Sequence, residues 1–167
     1  ILLGATRFLV GGHARWQGSE PDGRARIYFA NHASHLDTVI LWAALPGWLR
    51  RVTHPVAARD YWGTNAAKRH IAIRVLNAVL VDRESRADPL APLRGVLEQG
   101  DSLILFPEGT RRLERLPGPF KSGLFHLARD FPEVELIPVY LENLASAFHK
   151  GALIPAPISC AVRSGPA

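Results

Sequence analysis

Seven consecutive positions, Asn31 to Asp37, read NHASHLD and follow the strand-like run Ile27-Tyr28-Phe29-Ala30. Such a segment lines up groups that donate, accept and orient protons. If Ser34 caps a helix starting at His35, Asp37 falls in its first turn, as in a short capping box. His32 then sits on the strand-to-helix turn, where a carboxylate five residues on can fold back onto its ring. A carboxylate on one imidazole nitrogen sets the tautomer and leaves the other nitrogen to take a proton. His32 and Asp37 are therefore the candidate general base and its orienter. His35, two residues from Asp37, points elsewhere on a helix and is expected to pack or line the pocket. Two other readings stand beside this one: a helix cap with two incidental histidines, and a metal set of His32, His35 and Asp37. No second ligand cluster supports the metal.

A second run, Phe106 to Arg112, reads FPEGTRR. Pro107 ends a strand, and Gly109 permits close approach of backbone amides to a ligand. Arg111 and Thr110 offer charge-assisted and neutral hydrogen bonds to an anion. Taken alone, it is also a plausible strand-end turn with solvated charges.

Both motifs need strands to position them. Apolar runs alternate with helix-length segments from Ile27 to Leu141. This is the α/β pattern, and it predicts strands near 27–30, 52–58, 79–82, 102–106 and 135–141. Helices are expected near 35–45, 60–77, 89–99 and 121–130. Connections of this length favour parallel neighbours. The expected fold is thus a single α/β domain with a central, mostly parallel sheet flanked by helices. Asp88, Pro89 and Gly100 mark the ends of one helix, with Leu90, Leu93 and Leu97 on its buried face. In open α/β sheets ligands gather beyond the carboxyl ends of strands, so the two motifs should share one site.

At 167 residues the chain accommodates one domain with a sizeable core. Of 20 basic residues 17 are arginine, against 15 acidic residues, which favours a phosphorylated partner or an anionic membrane surface. The basic residues are scattered rather than striped with aromatics, which argues against nucleic acid. Cys160 stands alone, so neither an intramolecular disulfide nor a thiol metal cluster is available. It also lacks a neighbouring histidine, and no G-x-S-x-G elbow exists, so a covalent intermediate has no obvious nucleophile. Residues 1–26 form an apolar N-terminal segment, read either as membrane-proximal or as a packing helix, with 27–167 as the main domain. The chain starts at Ile1 without a methionine, which suggests a piece of a longer protein. Trp48-Leu49-Arg50-Arg51 and Tyr61-Trp62 combine aromatic and basic side chains, as interfacial segments do.

NHxSxxD followed about seventy residues later by FPEGTR resembles the glycerolipid acyltransferase family, which includes the 1-acylglycerol-3-phosphate acyltransferases. The family's glycine-xx-phenylalanine-isoleucine-x-arginine block is matched by NAVLVDR, Asn77 to Arg83, with asparagine in place of the glycine and Leu80 in place of the aromatic. LIPVY, Leu136 to Tyr140, is similar to the family's apolar-proline-apolar strand, and FKSG, Phe120 to Gly123, to its lysine-glycine turn. The resemblance implies transfer of a fatty acyl group from acyl-coenzyme A or acyl carrier protein to a glycerol phosphate lipid hydroxyl. His32 would act as base and Asp37 as its orienter. Arg83, Glu108, Gly109, Thr110 and Arg111 would form the acceptor site. No cofactor or metal is implied, and the setting would be the cytoplasmic face of a membrane. Two alternatives stay open: the same chemistry on glycerol-3-phosphate or another lysolipid, and a catalytically silent lipid-binding domain.

Overall fold

The computed structural model describes residues 13–16, 18–34, 37–83, 87–112, 116–142 and 161–164. Among the described residues seven strands form one sheet: β1 (His13–Trp16), β2 (Arg26–Ala30), β3 (Thr53–Ala58), β4 (Val79–Val81), β5 (Ser102–Leu105), β6 (Glu135–Glu142) and β7 (Ala161–Ser164). Their order is β1-β7-β6-β2-β5-β3-β4. The five strands read from the sequence, β6, β2, β5, β3 and β4, are all parallel. Antiparallel β7 and then β1 extend the β6 edge. Within the expected 1–26 segment, β1 joins the sheet, and β2 opens at Arg26. The stretch 1–12 lies outside the described residues. Among the described residues no helix is long and apolar enough to cross a membrane.

Pro55 and Pro138 sit inside strands at places where one neighbour has not yet begun. β4 pairs only from Val56 and β7 only from Val139. A residue without an N–H is tolerated where the ladder leaves one side open.

Helices cover both faces of the sheet. On one face α1 (Asp37–Ala44) buries Val39, Ile40 and Trp42 against Tyr28, Ile104 and Ile137. On the other, α4 (Ala91–Glu98) and α5 (Gly123–Asp130) bring Leu93, Leu97 and Leu127 against Ile27, Leu103 and Leu105. Each such side chain contributes about 1.5–3 kcal/mol on burial. Central β5 is buried along its whole length, as its continuous apolar run predicts. Gly100 follows the end of α4 at φ +80°, as expected, but the helix starts later than the expected Asp88 cap: Leu90 holds the N-cap position, and Asp88 accepts the Leu90 amide in the turn before it.

The helix expected over 60–77 is divided. α2 (Arg59–Trp62) stops at Gly63, and Asn65 starts α3 (Ala66–His70) by accepting the Lys68 amide at 2.8 Å. The chain then widens into a π-helical turn, Ile71–Val75, in which Leu76 N–H reaches the Ile71 carbonyl. Glycine's low helix propensity and asparagine's preference for caps explain the division.

Candidate active site

The NHASHLD and FPEGTRR motifs leave the carboxyl ends of β2 and β5, which are neighbours in the sheet. Asn31 anchors the first turn to β6, donating to the Leu141 carbonyl and accepting its amide at 2.8 Å. Asp37 opens α1 and is fully buried. Its Oδ2 accepts three donors: the amides of Ala33 (2.6 Å) and Ser34 (2.8 Å), and His32 Nδ1 (2.8 Å). The Asp37 amide in turn donates to the Ser34 carbonyl, so the turn is closed through the backbone and not through the serine hydroxyl accepting that amide as in a capping box. An ionised carboxylate only accepts, so Nδ1 carries the ring proton and Nε2 the lone pair. The His32 ring stacks on Phe106, centroids 4.4 Å apart, and borders a cleft. Its Nε2 has no hydrogen-bond partner among the described residues. His35 lies outside the described residues, as does Cys160.

Glu108 is placed differently from the acceptor-site position expected of it. It is buried, with Oε1 accepting the His32 amide at 2.9 Å and Oε2 the Gly118 amide at 2.8 Å. A buried carboxylate is stabilised by hydrogen-bond donors, and two backbone amides, one on each oxygen, supply them here. The Arg112 amide completes the tie by donating to the His32 carbonyl at 2.8 Å. Glu108 therefore braces the His32 backbone and does not line the cleft.

Gly109, Thr110, Arg111 and Arg83 do line it, with His32. Gly109 has φ +69°, a conformation that strains any other residue, and a Cβ there would displace the end of the Lys121 side chain, whose Cε lies 2.7 Å from it. Thr110 and Arg111 are exposed. Arg83 donates from Nη1 to the Gly109 carbonyl at 2.9 Å, while its Nη2 faces both carboxylate oxygens of Asp60. The cleft encloses about 360 Å³ and continues along the carboxyl ends of β3 and β4.

Asp60 and Thr38 belong to the cleft without a motif to announce them. The available signal for Asp60 was its position just beyond β3, where an open α/β sheet binds ligands. Tyr61 and Trp62 also line the cleft, whereas Trp48 and the 3-10 turn Leu49–Arg51 precede β3 at its other end. The two aromatic-basic segments thus lie at opposite ends of one strand.

Asn77 has φ +55° and is the sole non-glycine residue with positive φ among the described residues. Asparagine is among the few side chains that tolerate this region. That conformation leads the chain into β4, which delivers Arg83 to the cleft.

A family model described as Acyltransferase matches residues 15–142. A 1-acyl-sn-glycerol-3-phosphate acyltransferase of Limnanthes douglasii is 29% identical over 98% of this chain and 57% of its own length. The alpha form of that enzyme from Homo sapiens is 28% identical over 90% of this chain and 53% of its own. The chain thus spans little more than half the length of these relatives. The crystal structure of the 1-acyl-sn-glycerophosphate (LPA) acyltransferase PlsC from Thermotoga maritima superposes with a TM-score of 0.75, at 23% identity, covering 99% of this chain and 65% of that one. At that identity the likeness establishes the fold.

Proposed function

Because the chain belongs to the acyltransferase family, we propose that it transfers a fatty acyl group from a thioester to the free hydroxyl of 1-acylglycerol-3-phosphate, forming phosphatidate in phospholipid biosynthesis. One observation carries this reading above the others: His32 is held by buried Asp37 through Nδ1, with Nε2 left free at a cleft that two arginines share.

In this reading Nε2 takes the proton of the acceptor hydroxyl as the oxygen attacks the thioester carbonyl. The tetrahedral oxyanion is stabilised by backbone amides. It collapses with loss of the thiolate, which recovers the proton from His32. Arg111 and Arg83 bind the acceptor's phosphate, with Gly109 and Thr110 shaping its approach. Glu108 acts from behind, through the backbone of His32. The donor is acyl-coenzyme A or acyl carrier protein, and the residues named need no cofactor.

A lysolipid acceptor calls for work at a membrane, on its cytoplasmic face. Exposed Ile71 and Ile73 beside Arg69 and Arg74 suit an anionic lipid surface. Flotation with anionic vesicles at low salt tests that part, and absence of binding would count against it.

The reaction is tested by incubating the chain with labelled acyl-coenzyme A and 1-acylglycerol-3-phosphate in mixed micelles, with His32→Ala alongside. Diacyl product from the wild type alone is expected. Equal product from both would overturn the assignment of the base. No product from the folded wild type with this acceptor or a panel of related ones, using either donor, would overturn the reading.

A further inference from the structure

One contact in the cleft has no part in the acyl-transfer steps. Asp60, in α2, directs Oδ1 and Oδ2 at Arg83 Nη2, at 3.2 and 3.0 Å. The Gly109 carbonyl holds Nη1 of the same guanidinium. Arg111, which lines the same cleft, has no ion pair among the described residues. Two guanidinium groups therefore border one cleft, one of them neutralised from within the chain.

The Asp60 and Arg83 side chains are 56% and 45% exposed. An ion pair this open to water is weak. A phosphate carries up to two negative charges and several oxygens able to accept from a guanidinium fork, so it competes effectively for Arg83. Before it does so, the Asp60 carboxylate opposes it twice, by occupying Nη2 and by like-charge repulsion.

We propose that Asp60 is the resident counter-ion of the anion site: it holds Arg83 in the empty cleft and gives it up to the acceptor's phosphate. Asp60 then sets acceptor affinity and disfavours acceptors without a free phosphate, which meet an Arg83 already neutralised. This rests on the reading of Arg83 as a phosphate contact.

The test compares Asp60→Asn, Arg83→Gln and the double variant. Two readouts are used: acceptor KM and kcat in mixed micelles, and binding of inorganic phosphate by calorimetry, which needs no turnover. Asp60→Asn is expected to lower the acceptor KM and tighten phosphate binding by about two- to fivefold, the scale of an exposed ion pair. The effect should fall on KM rather than kcat and shrink in the Arg83→Gln background. A raised KM with weaker phosphate binding in Asp60→Asn would overturn the proposal, because Asp60 would then orient Arg83 for the ligand. Unchanged values in Asp60→Asn, with Arg83→Gln impaired, would overturn it while sparing the anion site. Unchanged values in Arg83→Gln would overturn the anion-site reading and the proposal with it.

Discussion

The Asp37 oxygen that lies 2.8 Å from His32 Nδ1 is the same atom that accepts the amides of Ala33 and Ser34. One buried carboxylate therefore builds the turn and orients the ring that the turn presents. Orientation of the imidazole and folding of the loop are coupled through a single atom.

That coupling separates two variants. His32→Ala removes the proposed base and leaves the amide bonds to Asp37 in place. It should lose about 10²–10⁴-fold in turnover with little change in thermal midpoint. Asp37→Ala should lose turnover and stability together, because buried amides lose their acceptor. Activity assays beside circular dichroism melts check both, and a His32→Ala rate near wild type would remove the assigned role.

Glu108→Gln tests the brace behind His32. A glutamine has one acceptor oxygen, so either the His32 or the Gly118 amide faces an NH₂ group. A stability loss of about 1–3 kcal/mol is expected, with lower turnover from a displaced His32. Urea unfolding followed by circular dichroism reads the first effect. An unchanged midpoint would mean that the carboxylate is not needed where it sits.

At Asn77 the expected order of stability sets backbone conformation against side-chain bonding. Asn77→Ala should cost about 1–2 kcal/mol, because alanine resists positive φ and the bond from Asn77 Nδ2 to the Arg51 carbonyl is lost. Asn77→Gly loses that bond but relieves the backbone, so it should be the milder change. Denaturation midpoints of the two variants decide it, and a glycine variant less stable than the alanine one would contradict the backbone account.

Asp88 and Asp130 bracket Arg94, and both carboxyls are held below the ordinary 3.8. For Asp88 the Leu90 amide is the main cause and Arg94 follows. For Asp130 it is Arg129, with Arg94 next. A depressed folded-state pKa stabilises the protein above the unfolded value and loses that contribution as pH falls through the folded one. Arg94→Gln should therefore lower the melting temperature slightly at pH 7, since these groups are exposed, and the gap to wild type should close as pH drops below 3.8. Melts from pH 7 downward measure it, and a gap that widens in acid would refute the assignment.

Much of this protein is legible in its local pattern. The five parallel strands follow from short apolar runs spaced by helix-length segments, and the C-terminal end of α4 from Gly100. The His32–Asp37 pair follows from a five-residue separation across a strand-to-helix turn. These are short-range properties, which composition and periodicity encode directly. Other features depend on which strands become neighbours. Glu108 meets the His32 amide across 76 positions, and Arg83 meets Asp60 across 23. Both follow from the order β2-β5-β3-β4. The same order brought an expected ligand contact into the interior and put an unanticipated carboxylate into the cleft. A side chain's type and spacing state what it can bond to, but its partner is chosen by the strand brought beside it. That choice rests on burying both faces of the sheet through the crossovers, which only the folded chain resolves.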